Sequence, residues 1–205
     1  MAPTLLWING PFGGGKTQTA FELHRRLPGS EVADPEHLGF GLRRMLPRAV
    51  RGDFQDFPAW RHGVREVLDH LLRTYEGTDK TIIAPMTVVV PAYFDEIIGK
   101  LRADGHTVHH FALLAREDTV RRRLRRRVTP LIHGDSWALK QVERCLTALR
   151  RPEFAHHVHT DDRTVAQVAD EVARHTGLDL RPDTTGSLRA NLRQTWVSVK
   201  HIRVG

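Results

Sequence analysis

Gly10-Pro11-Phe12-Gly13-Gly14-Gly15-Lys16-Thr17 satisfies every fixed position of the pattern G-x-x-x-x-G-K-[ST] and follows directly on the apolar run Leu5-Leu6-Trp7-Ile8. Residue types in this order do one kind of chemistry well. Glycines let successive backbone N–H groups turn inward around an anion, the lysine reaches the outer phosphates of a nucleotide, and the threonine hydroxyl joins the shell of a Mg2+ ion. The expected nucleotide-binding set is Gly10, Pro11, Phe12, Gly13, Gly14, Gly15, Lys16, Thr17 and Gln18, with Lys16 catalytic and Thr17 the metal ligand. The alternative is a glycine-rich turn that binds nothing.

A phosphate loop alone does not separate hydrolases, motors and kinases, so other residues must decide. Thr81-Ile82-Ile83-Ala84 runs into Pro85-Met86-Thr87 rather than into an aspartate, and no Asn-Lys-x-Asp sequence occurs. Both absences disfavour a switch GTPase or a helicase-type motor. Asp34 follows a strand-like segment and precedes Pro35, which places its carboxylate where parallel sheets bind ligands. It could orient or deprotonate an acceptor hydroxyl, or simply cap the next helix. Arg123 with Arg126 or Arg127 shares a helix face and could clamp phosphates, the alternative being a solvated basic face. Thr87 and Trp60 complete the candidate acceptor-binding residues with Asp34; a core role for Trp60 is the competing reading.

These residues need a scaffold that holds them at one sheet edge. Strand-like runs at 4–9, 31–33, 81–85, 107–114 and 157–160 alternate with helical segments at 16–27, 35–45, 60–75, 93–103, 118–127, 137–150 and 165–175. That alternation predicts an α/β fold, a three-layer sandwich with a five-stranded parallel sheet. Residues 1–180 form the expected domain. Inside it, the 47 residues between the second and third strands exceed what a connection needs, so a substrate-covering insertion is expected at about 35–78. Pro130 and Gly134 break helical periodicity across 127–137, a candidate lid or an ordinary connector.

The net charge of +7 is unevenly placed. Residues 116–127 hold seven arginines against Glu117 and Asp118, and 186–205 hold Arg189, Arg193, Lys200 and Arg203 with no acid. The rest of the chain is close to neutral, which argues against a broad nucleic-acid-binding face. In the tail, 181–205, Leu188, Leu192, Trp196 and Val199 make a basic amphipathic C-terminal helix that could dock on the core or lie on an anionic membrane surface. The single Cys145 excludes an intramolecular disulfide and reads as a buried helical residue. The 13 histidines show no paired-ligand spacing and read mostly as surface or loop residues. No run of about 18 apolar residues and no leader-like start is visible, so a cytoplasmic location is expected, at most peripheral to the membrane.

The chain resembles the ATP-binding tunicamycin-resistance proteins, within the P-loop small-molecule kinases related to nucleoside-monophosphate, shikimate and chloramphenicol kinases. The resemblance rests on Trp7-Ile8-Asn9-Gly10-Pro11-Phe12-Gly13 before Gly15-Lys16-Thr17, on Leu23-His24-Arg25-Arg26-Leu27-Pro28-Gly29-Ser30, and on Pro85-Met86-Thr87. Val108-His109-His110-Phe111, Arg123-Leu124-Arg125-Arg126 and the basic, Trp-containing C-terminus extend it. It implies ATP with Mg2+ and either phosphoryl transfer to a hydroxyl-rich nucleoside antibiotic or ATP-dependent sequestration of it. By position it assigns Lys16 and Thr17 to phosphates and Mg2+, Arg123 and Arg126 to lid-proximal arginines, and Asp34 to a substrate carboxylate. An acidic residue for Mg2+ after the third strand is the expected feature that this sequence lacks.

Overall fold

Alternation along the first strand sends Leu5 and Trp7 to one side of a sheet and Leu6 and Ile8 to the other, and all four are fully buried. A strand covered on both faces belongs at the middle of a parallel sheet. The computed structural model of the chain describes residues 2–126 and 134–183, the side chains of 134–136 excepted. Its five strands are β1 (Thr4–Asn9), β2 (Glu31–Val32), β3 (Thr81–Pro85), β4 (Thr107–Leu114) and β5 (His157–His159). They lie in the order β2-β3-β1-β4-β5 with every pairing parallel. The connection after β1 runs to β2 on one side and that after β3 runs to β4 on the other, so the crevice at the C-terminal ends of β1 and β3 is the switch point where such sheets bind ligands.

Helices cover both faces. Ala20 and Leu23 of α1 (Lys16–Arg26) and Val168, Ala169 and Val172 of α8 (Val165–Thr176) pack on Leu6, Ile8, Ile83, Phe111 and Leu113. The opposite face receives α3 (Pro58–Thr74), α6 (Glu117–Arg125), α7 (Gly134–Leu149) and a composite helix. That helix runs from α4 (Pro91–Phe94) through a π-turn at Asp95–Gly99 into α5 (Lys100–Ala103). Between β2 and β3 the insertion contains α2 (Glu36–Met45), two 3-10 turns at Arg48–Val50 and Phe54–Asp56, and then α3. Gly39 of α2 lets Phe54 approach so closely that a Cβ there would lie 2.6 Å from the ring.

The five expected strands all form, β2 and β5 each a residue shorter than expected. Helix ends shift by one to three residues, and the 3-10 turns were not anticipated. The candidate lid falls largely on 127–133, and the basic helix on 186–205; both lie outside the described residues. Cys145 is buried as expected.

Among the described residues most histidines are exposed, as expected, and His110 is the buried exception. His110 of β4 is 1% exposed, its Nδ1 3.0 Å from the Ala155 carbonyl and its ring 4.7 Å from that of Phe94. Burial lowers its pKa from 6.5 to about 4. The unfolded chain then takes up a proton near pH 6.5 that the folded chain refuses until about pH 4. Stability contributed by neutral His110 is complete above pH 6.5 and is lost as pH falls through this window, by about 3 kcal/mol. Urea midpoints from pH 7 to 4 should decline less steeply in His110→Gln; parallel declines would assign the acid sensitivity elsewhere.

Candidate nucleotide and acceptor site

β1 ends at Asn9 and α1 begins at Lys16, so the glycine-rich loop spans the gap from the sheet edge to a helix N-terminus. Gly15, the N-cap, has φ 93° and Gly13 has φ 77°, conformations that L-residues rarely adopt. At Gly13 space is also closed: a Cβ would lie 2.7 Å from Leu124 Cγ of α6, which supports the loop from behind. The backbone can therefore bend into an anion cradle at a helix terminus, whose dipole favours negative charge. Lys16 is 8% exposed, and its Nζ donates to the Pro11 carbonyl at 3.1 Å and lies 5.6 Å from the Phe12 ring centroid. The ammonium is thus held over the loop. Thr17 and Gln18 are half-buried in the first turn of α1. The donor set fits a nucleotide phosphate chain, with the Thr17 hydroxyl as the available oxygen for its Mg2+.

Asn9, which sequence reasoning passed over, locks this loop to its neighbour. Its Oδ1 accepts from Gly10 N at 2.9 Å and Val88 N at 3.1 Å, while its Nδ2 donates to the Val88 carbonyl at 2.8 Å. Thr87 adds a second tie, its Oγ1 donating to the Gly10 carbonyl at 2.7 Å. That bond corrects the expectation for Thr87: a hydroxyl 3% exposed and spent on Gly10 braces the phosphate loop instead of reaching an acceptor. Gln55, also unforeseen, donates from Nε2 to the Thr87 carbonyl at 2.9 Å and so fastens the insertion to the same point. Arg61 donates to the Gln55 carbonyl, pairs with Glu96 at 2.6 Å and lies 4.2 Å from the Tyr93 ring, joining α3 to the composite helix. Only the amphipathic spacing of α3 was legible beforehand; these long-range polar partners carry no local signal.

Asp34 lies just past β2, half-buried, and its Oδ1 accepts from Glu36 N at 2.9 Å. That bond satisfies one of the first backbone N–H groups of α2. Trp60 is corrected outright. It is 0% exposed, its Nε1 donates to the Pro35 carbonyl at 3.1 Å, and its ring lies 5.3 Å from Phe54, which makes it the core of the insertion and not an acceptor surface.

The arginine clamp is also arranged differently from expectation. Arg123 directs Nη1 to Thr160 Oγ1 at 2.9 Å and Nη2 to the Thr160 carbonyl at 2.7 Å, bracing the end of β5, and burial lowers its pKa. Arg126 is exposed at the end of α6, and Arg127 lies outside the described residues. Trp137 of α7 comes to the loop instead, its ring 5.0 Å from that of Phe12. The Cys145 thiol of α7 has its pKa raised by burial.

An AAA domain family model matches residues 5–152. No curated protein sequence matches the chain. Among solved structures, the tunicamycin resistance protein of Deinococcus radiodurans is 35% identical across 87% of this chain and 99% of its own, with a TM-score of 0.71. A sugar kinase from Janibacter sp. (16% identity, 87% and 96% coverage, TM-score 0.61) shares the fold. So does the APS kinase of Mycobacterium tuberculosis (18% identity, 86% and 98% coverage, TM-score 0.60). The phosphate loop at the switch point of a β2-β3-β1-β4-β5 sheet and these likenesses agree: the chain is an ATP-binding P-loop protein with the small-molecule-kinase fold, and it belongs to the tunicamycin-resistance protein family.

Proposed function

We propose that this protein transfers a phosphoryl group from ATP to a hydroxyl of a small polar molecule, with tunicamycin-like nucleoside antibiotics the leading acceptor class. The observation that carries this reading is the juxtaposition of Lys16, held over an anion cradle, with an insertion fastened to the same loop through Gln55 and Thr87. ATP supplies the phosphoryl group and Mg2+ offsets its charge. Lys16 neutralises the phosphate oxygens, Thr17 holds the ion, and Asp34 orients the acceptor hydroxyl and receives its proton. Exposed Arg126 is proposed as an arginine that reaches the phosphates, and the basic segment 186–205 as a separate tail that contacts a membrane surface. Among the described residues no helix is long and apolar enough to cross a membrane.

A second reading is favoured by one observation. Thr87, braced against Gly10, stands after β3 where a Mg2+-binding carboxylate is expected, which suits a protein that sequesters the drug in an ATP-stabilised complex without modifying it. Mass spectrometry of tunicamycin incubated with protein, ATP and Mg2+ separates the two. A gain of one phosphate supports the kinase; unmodified drug retained only with ATP supports sequestration. Asp34→Asn is expected to lower the turnover rate roughly 10²-fold with ATP affinity little changed. Single-turnover kinetics beside ATP titration would check this, and an unchanged rate would reduce Asp34 to a helix cap.

A further inference from the structure

Among the described residues the large apolar side chains left exposed are Met45, Val50, Val67 and Trp137, and of these four Trp137 alone has a ring. Its helix does not need it for anchorage. α7 is held to the core by Ala138, Val142, Cys145, Leu146 and Leu149, all buried. At about 100° per residue, Trp137 points roughly 120° away from the middle of that stripe. An indole 46% exposed and outside the buried face of its own helix is available to a ligand.

The neighbours of the indole say which ligand. Its ring centroid lies 5.0 Å from that of Phe12 with the planes inclined at 68°, so the two rings form the walls of a corner. Phe12 is the third residue of the phosphate loop, and its ring centroid is 5.6 Å from Lys16 Nζ. One helix supports both walls. α6 packs Leu124 against Gly13, next to Phe12, and sends Arg121 Nη1 to the Leu139 carbonyl at 3.1 Å, near the start of α7. The corner is therefore preformed, and its shape suits a planar heterocycle that lies on one ring with its edge toward the other. The lysine of such a loop serves the outer phosphates of the nucleotide. The nucleotide's own base is separated from that end by the α-phosphate and the ribose, so a corner beside Lys16 lies on the side of the accepting molecule.

We infer that Trp137 and Phe12 form a stacking corner for the planar base of a nucleoside acceptor, with Trp137 as a specificity-determining residue. The inference rests on the reading that such an acceptor binds beside the P-loop, and it names the side chains that recognise it. Calorimetric titration of tunicamycin and of uridine into protein saturated with a non-hydrolysable ATP analogue and Mg2+ tests it. Trp137→Leu keeps apolar bulk and discards the aromatic face, so it should weaken both nucleosides roughly tenfold or more, whereas Trp137→Phe should stay within about threefold of the parent. Affinity for the ATP analogue should stay within about twofold in both variants, which also certifies their fold. Nucleoside binding unchanged in Trp137→Leu, equal weakening by the two substitutions, or no binding of either nucleoside to the parent would overturn the assignment. Weakened binding of the ATP analogue would overturn it as well, by giving the ring to adenine or to support of the loop. Phosphoryl transfer measured on the same samples separates this from the kinase reading. Tunicamycin held through Trp137 yet recovered unmodified keeps the corner and defeats the kinase; drug phosphorylated with the parental KM by Trp137→Leu does the reverse.

Discussion

Lys16→Ala is expected to lower phosphoryl transfer roughly 10³-fold, because it deletes an ammonium held over the phosphate cradle at the start of α1. The change should leave the fold intact. Alanine has the highest helix propensity, and the Nζ bond to the Pro11 carbonyl that disappears lies within the loop itself. Melting temperature should therefore shift little while ATP affinity and turnover both fall, a combination distinct from misfolding. Paired measurements of ATP binding, transfer and thermal unfolding on one preparation would check it. Transfer persisting at the parental rate would remove Lys16 from the chemistry and with it the catalytic assignment of the loop.

The largest stability effect belongs to Trp60. Its indole is fully buried between α2 and the body of the fold, contacts Phe54 and donates to the Pro35 carbonyl. Trp60→Ala removes this volume from a site whose neighbours are held by other contacts, at a cost of about 3–5 kcal/mol. For a domain of this size that corresponds to a fall in Tm of roughly 6–20 °C. Trp60→Phe keeps most of the volume and should lose mainly the hydrogen bond, about 1 kcal/mol. A direct role in holding an acceptor would instead raise KM with the Tm unchanged, and thermal unfolding beside steady-state kinetics tells the two apart.

Trp60 also illustrates where sequence is informative and where it is not. The i, i+4, i+8 spacing of Trp60, Val64 and Leu68 announces an amphipathic helix, and all three are buried. Periodicity identifies the buried face but not what covers it, and here the cover is α2 and the unforeseen 3-10 turn at Phe54–Asp56. The five strands were legible because each apolar run is bounded by turn chemistry. The glycine loop was legible because its function depends on consecutive residues. Asn9, Gln55 and the Arg123–Thr160 contact depend instead on partners 32 to 79 residues away, which no local window contains. The clamp expected from Arg123 failed for the same reason, since helical spacing sets which residues share a face and not which acceptor a guanidinium finds.

Asn9 has a consequence at the level of thermodynamics. One carboxamide accepts from Gly10 at the head of the phosphate loop and brackets Val88 in the segment after β3, so neither segment can move without stretching a bond to the same side chain. Two ligands seated on these segments are consequently not independent variables. Any factor by which a nucleotide alters the affinity of the second molecule must equal the factor by which that molecule alters the affinity of the nucleotide. In Asn9→Ala that shared factor should collapse toward unity, and a square of four dissociation constants would read it directly.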